Sequence, residues 1–112
     1  MNILISPSIL SADFGKLNEE IHSIEPYVDM IHMDIMDGHF VPNITFGAPI
    51  LAKLKSTKPL DVHLMIENPE AHIDTWLRAG VNRIIVHLEA MQDTVLILEK
   101  CKKHLKLLIE NK

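Results

Sequence analysis

Imidazoles and carboxylates recur in pairs along three short apolar runs of this chain. Ile31-His32-Met33-Asp34 holds His32 and Asp34 two positions apart, and Asp61-Val62-His63-Leu64-Met65 holds Asp61 and His63 at the same spacing. Val86-His87-Leu88-Glu89 carries a third pair. Residues two apart on an extended strand leave the same face, so each pair would present both groups together. Adjacent strands lie under about 5 Å apart. Two such strands could therefore bring an imidazole, a carboxylate and a second imidazole to one point. That set suits a divalent cation or an acid–base site. The competing reading is a hydrogen-bonded polar core, because titratable groups are costly to bury unless they pair or bind metal.

Other residues carry weaker signals. Met33, Met36 and Met65 could line a pocket with polarisable thioethers, and ordinary core filling serves Met33 equally well. Ser6, Ser8 and Ser11 could bind a substrate oxygen or cap a turn. No His–Asp pair beside them suggests a nucleophile. His22, His72 and His104 fall on predicted helices and are expected to face solvent. His39 sits in a long loop, in reach of a ligand. Cys101 is expected to be a small core residue.

The elements that must position these groups alternate. Ile3–Ile5 and Ser8–Leu10 form a first strand candidate. Phe14, Leu17, Ile21 and Ile24 follow at helical spacing, with Asp13 as a cap and Pro26 past the end. A second strand spans Met30–Ile35, and a long ordered loop, Met36–Phe46, contains Gly38, Pro42 and Asn43. A second helix covers Ala48–Ser56, and a third strand Leu60–Met65. Asn68-Pro69-Glu70 reads as a helix start with Asn68 as cap. Ile73, Trp76 and Leu77 give that helix its apolar face, and Gly80 ends it. Arg83–Leu88 is the near-continuous apolar run of a buried strand. A fourth helix spans Gln92–His104, and Lys106–Ile109 begins a fifth strand. Four βα units with short connections imply parallel strands with crossover helices, either a doubly wound sheet or a (β/α)₈ barrel. In either, ligands bind at the C-terminal ends of the strands, where the His and Asp pairs lie. No glycine-rich nucleotide loop follows any strand.

Composition bounds the class. The chain has 112 residues, 47% hydrophobic and 23% charged, which suits one soluble domain. No apolar run approaches the roughly 20 residues that span a bilayer, so no membrane partner is expected. The N-terminus lacks the basic and apolar regions of a secretory signal. The single Cys fits a reducing compartment, so a cytoplasmic location is expected. The net charge is −4, with five Lys and two Glu in residues 99–112. Lys100, Lys102 and Lys103 sit where a helix should end, a place that favours cations. No aromatic residue interleaves them, so no nucleic-acid partner is expected.

These motifs resemble one family. Ser6-Pro7-Ser8-Ile9-Leu10-Ser11-Ala12-Asp13-Phe14 is similar to the first-strand signature of ribulose-phosphate 3-epimerases. His32-Met33-Asp34-Ile35-Met36-Asp37-Gly38-His39-Phe40-Val41-Pro42-Asn43 resembles their most diagnostic motif. Leu60-Asp61-Val62-His63-Leu64-Met65 and Val86-His87-Leu88-Glu89-Ala90 resemble the third and fourth strand motifs. The likeness runs over residues 3–91 with every motif in order.

The resemblance implies a ribulose-phosphate-binding (β/α)₈ TIM barrel, of which residues 1–112 would be the N-terminal half, with no second domain. It implies interconversion of D-ribulose 5-phosphate and D-xylulose 5-phosphate through an enediolate at C3. A divalent metal, one of Zn, Fe, Mn or Co, would be held by His32, Asp34 and His63. Asp34 would also accept the proton. Ser8 and His63 would contact the sugar phosphate, and Met36 and Met65 would line the reacting carbons. The family's second catalytic Asp, also its fourth metal ligand, and its glycine-rich phosphate site come from the C-terminal half, and no residue here occupies those positions. From Lys103 to Lys112 the sequence departs from the family's Gly-Val-x-Leu-Asn-Pro continuation. A barrel of this type needs roughly 200 residues or more. A half-barrel exposes strand edges and apolar faces that admit a homo-oligomer. Two alternatives stand beside the epimerase: a truncated, non-catalytic family remnant, and an epimerase of a related ketohexose 6-phosphate. Asn43-Ile44-Thr45-Phe46-Gly47 resembles the pentose-specific pattern more closely.

Overall fold

Four parallel strands lie side by side in chain order in the computed structural model, which describes residues 2–102 and the backbone of 106–110. They are β1 (Ile31–Met36), β2 (Leu60–Met65), β3 (Arg83–His87) and β4 (Lys106–Glu110). Helices α1 (Leu17–Ile24), α2 (Ala48–Leu51), α3 (Ile73–Arg78) and α4 (Thr94–Cys101) accompany them. The sequential order of parallel neighbours is what short right-handed βα crossovers produce.

Alternation along the strands divides the sheet into two unlike faces. Ile31, Met33, Ile35, Val62, Leu64, Ile84 and Val86 are buried on one of them. They form one cluster with Leu17 and Ile21 of α1, Ile73 and Trp76 of α3, and Ile97 and Cys101 of α4. Each helix thus spends its apolar stripe on the same sheet face, and each fully buried Leu or Ile contributes about 1.5–3 kcal/mol. Met33 is core, as one of its two readings held, and Cys101 is a buried core thiol whose pKa is pushed up by burial. The opposite face carries His32, Asp34 and Met36 from β1 and Asp61, His63 and Met65 from β2.

The caps explain where several elements start. Asp13 accepts from the Gly15 amide at 2.9 Å and opens the short 3₁₀ turn that leads into α1. Asp93 accepts from the Leu96 amide at 3.0 Å and caps α4. Gly80, at φ +92°, ends α3 in a conformation that suits glycine.

Four expectations need correction. The first strand candidate is not a strand. Its carbonyls do accept from this part of the chain, Ile5 from the Asp29 and Met30 amides just before β1 and Pro7 from His32 in β1, but only Ser8 forms a bridge, to His32. Pro7 has no amide to donate, and Ser8 caps a 3₁₀ turn at Ile9–Ser11 by accepting from the Leu10 amide. Asn68 makes no side-chain cap; it takes φ +50°, and Pro69–Ala71 form a 3₁₀ turn before α3 starts at Ile73. The following proline disfavours right-handed helix at Asn68, and Asn tolerates the left-handed region. The second helix stops at Leu51 rather than Ser56, because the Asn18 side chain takes over. Its amide donates to the Lys53 carbonyl at 3.1 Å and its oxygen accepts from the Lys55 amide at 2.7 Å. The fourth strand ends at His87, and Leu88–Ala90 turn as a 3₁₀ segment, so His87 and Glu89 do not share a strand face. The fourth helix ends at Cys101, and His104 lies outside the described residues.

Candidate metal centre

The register of β1 on β2 makes the site. Asp34 lies opposite His63 and His32 opposite Asp61, so two strands contribute four polar side chains to one face. One ligand atom each from His32, Asp34 and His63 can be chosen so that all lie within 4.8 Å of one another. His32 Nε2 is 3.2 Å from Asp34 Oδ1, and His63 Nδ1 is 3.4 Å from the same oxygen. All three side chains are 17% exposed, reachable yet mostly shielded.

Asp61 decides which nitrogen His32 offers. His32 Nδ1 donates to Asp61 Oδ2 at 2.8 Å, and its Nε2 faces Asp34 Oδ1 at 3.2 Å. Asp61 is fully buried, and Arg83 grips it with Nε at 2.8 Å and Nη2 at 2.6 Å. Ser6 Oγ adds a third donor at 3.2 Å. Burial by itself would raise the Asp61 pKa, but the Arg83 guanidinium and His32 outweigh it and hold the carboxyl well below the usual range. The His32 pKa is in turn raised, first by its hydrogen bond to Asp61, against the opposing effect of burial. A carboxylate behind a histidine is the outer arrangement that orients metal-binding imidazoles. Two imidazoles and one carboxylate form a donor set suited to a borderline divalent cation. The residues present therefore fit a cation.

Ser8, Met36 and Met65 also reach this face of the sheet. Ser8 Oγ donates to Asp34 Oδ2 at 2.5 Å. Met36 and Met65 are register partners one step beyond Asp34 and His63. His63 Nε2 lies 2.7 Å from His87 Nε2 on β3. His39 is exposed in the loop and His22 on α1, and His72 is exposed just ahead of α3. The loop after β1 is ordered as expected. Asp37 and Ile44 form a bridge, and Asp37 accepts from the His39, Phe40 and Glu67 amides. Gly38 sits at φ +76°, where an added Cβ would meet Ile44 Cγ1 at 2.7 Å. Burial tends to raise the Asp37 pKa, and the three amides together pull it below its ordinary value.

Sequence reasoning paired Asp61 with His63 and missed its partnership with His32 across the strands. It also missed Arg83, which with His32 keeps Asp61 ionised, and the Ser6 hydroxyl that donates to the same carboxylate. The signal available was Asp61 itself, an acid within a strand core that demands a cationic partner.

The fold and site define a class: a parallel βα-repeat protein with a His/Asp/His cluster on one face of its first two strands. The family model described as "Ribulose-phosphate 3 epimerase family" matches residues 4–107, and the chain belongs to that family. Its four-stranded parallel sheet is the half-barrel-like part of a TIM-barrel architecture. A ribulose-phosphate 3-epimerase from Synechocystis sp. is 50% identical over 91 residues, covering 79% of this chain and 40% of the relative. One from Chlamydia pneumoniae is 46% identical over 105 residues, covering 91% and 46%. One from Bacillus subtilis is 50% identical over 91 residues, covering 79% and 42%. The chain thus spans less than half the length of these relatives. Among the described residues, no helix is long and apolar enough to cross a membrane.

Proposed function

We propose that this chain supplies the metal-binding, first-carboxylate half of an enzyme that interconverts D-ribulose 5-phosphate and D-xylulose 5-phosphate. Residues 1–112 would be the N-terminal part of the ribulose-phosphate-binding barrel. The observation that carries this reading is the convergence of one ligand atom each from His32, Asp34 and His63 within 4.8 Å on one sheet face.

The chemistry follows from the residue types. The proton at C3 lies beside the C2 ketone, so a positioned carboxylate can remove it to give an enediolate. Asp34 is that base, and Ser8, which donates to its Oδ2, holds the carboxylate in one orientation. A divalent cation, when bound by His32, Asp34 and His63, supplies positive charge that stabilises the enediolate oxygens. Ser8 and His63 contact the sugar phosphate, and Met36 and Met65 exclude water from the reacting carbons. Within the His32, Asp34 and His63 group, Asp34 is the one carboxylate. Inversion at C3 needs a second acid on the opposite side. This supports a secondary reading, in which the chain alone binds the cation without turnover.

A chimera tests the main reading. Residues 4–91 of this chain would replace the matching segment of the Bacillus subtilis relative. The chimera is expected to convert ribulose 5-phosphate into xylulose 5-phosphate, and Asp34→Asn to lower kcat by about 10³-fold or more. A folded, zinc-binding chimera that leaves the C3 proton unexchanged in D₂O would overturn the assignment.

A further inference from the structure

His87 has no role in the mechanism above, yet it is buried in an unusual way. It is 7% exposed, at the end of β3. Its ring meets that of His63 with centroids 4.9 Å apart and planes only 24° from parallel. Phe40 closes another side at 5.1 Å. Its Nε2 lies 2.7 Å from His63 Nε2, while its Nδ1 has no partner among the described residues. A buried polar atom left unpaired is unfavourable. A Leu or Phe would fill the same space without that penalty, so packing alone does not account for an imidazole here.

The contact between the two rings does account for it. A hydrogen bond between two ring nitrogens needs one donor and one acceptor. If His63 Nδ1, the nitrogen facing Asp34, keeps its lone pair, the proton of His63 sits on Nε2 and is donated to His87 Nε2. The two histidines of the cluster would then face the same point through different nitrogens. His32 offers Nε2 because Asp61 takes its Nδ1, and His63 offers Nδ1 because His87 takes its Nε2.

We propose that His87 is a positioning residue for the cation centre: by accepting from His63 Nε2 it fixes the His63 ring so that Nδ1 points at the site. This inference rests on the cation-site reading given under the proposed function. It assigns to His87 the part that Asp61 plays for His32, with a neutral acceptor in place of a charged one.

Zinc titration calorimetry of the full 112-residue chain tests it, with circular dichroism to verify folding. His87→Leu is expected to weaken zinc binding about 10- to 100-fold, the usual effect of removing an outer partner of a metal-bound histidine. His87→Gln keeps an acceptor on the side chain and is expected to stay within about threefold of the parent. Long-range ¹H–¹⁵N spectra of the zinc-loaded chain are expected to show His63 metallated at Nδ1 and protonated at Nε2. If His63→Ala weakens zinc binding but His87→Leu does not, the His87 role is wrong and the cation site stands. If His63→Ala has no effect either, or if the chain takes up no zinc, the cation-site reading falls and takes this one with it. Should His87→Leu fail to fold, the spectra and the glutamine variant decide, and His63 protonated at Nδ1 overturns the proposal.

Discussion

Asp61 carries more of this site than its place behind the ligands suggests. Its two oxygens accept two bonds from Arg83, one from His32 and one from Ser6. Removing it would strand the guanidinium beside a buried strand and free His32 to turn. Asp61→Ala is expected to cost about 2–3 kcal/mol in urea unfolding. That is less than a fully buried pair, because Arg83 remains 23% exposed. Asp61→Asn is gentler on folding but offers His32 a neutral, rotatable partner. It is expected to lower zinc affinity about tenfold by calorimetry. Unchanged affinity in both variants would mean that His32 keeps its orientation through packing alone.

At the scale of elements, the loop from Asp37 to Phe46 is tied to the sheet by one carboxylate. Asp37 accepts from His39 and Phe40 within the loop and from Glu67 beyond β2. Its pKa lies below the ordinary 3.8, so its ionised form is favoured by folding. The sign follows directly: the contribution is present above the unfolded value and is lost as pH falls through the lower folded value. The Phe40 and Glu67 amide resonances are therefore expected to titrate together with a midpoint below 3.8, and to stay flat in Asp37→Asn. A midpoint at or above that value would contradict the loop's dependence on this group. The same scale shows why some boundaries escaped the sequence. The helical pattern after Ala48 gave no warning that Asn18, thirty-five residues from Lys53, would satisfy the chain instead. The proline after Asn68 was visible, and its effect on the preceding residue outweighed the capping preference.

For the whole molecule, apolar side chains stay exposed outside the sheet, on the segment before β1 and on α4. Ile3, Leu4 and Ile5 are 81%, 62% and 53% exposed, and Val95 and Leu98 on the outer face of α4 are 63% and 46% exposed. Contiguous exposed apolar residues favour association. We expect the chain by itself to associate with rising concentration in sedimentation velocity, and the double variant Val95→Lys, Leu98→Lys to shift it toward monomer. A concentration-independent monomer would show that these faces tolerate water.

The order of the elements and four of the five strand candidates were legible in the residues themselves. A period of two in Ile31–Met36 and Leu60–Met65 makes a strand with its His and Asp on one face whatever lies beside it. The family likeness rested on the same runs. What no single run contains is register. That His32 meets Asp61, that Asp34 meets His63, and that His63 meets His87 depends on how three strands align. That alignment is set by the packing of Ile21, Ile73, Trp76 and Ile97 against the far face of the sheet. Side-chain chemistry is a property of each residue, so the sequence determined which groups could act. Partnership is a property of distance, so only the tertiary structure decided that His32 meets Asp61 and that His63 meets Asp34 and His87.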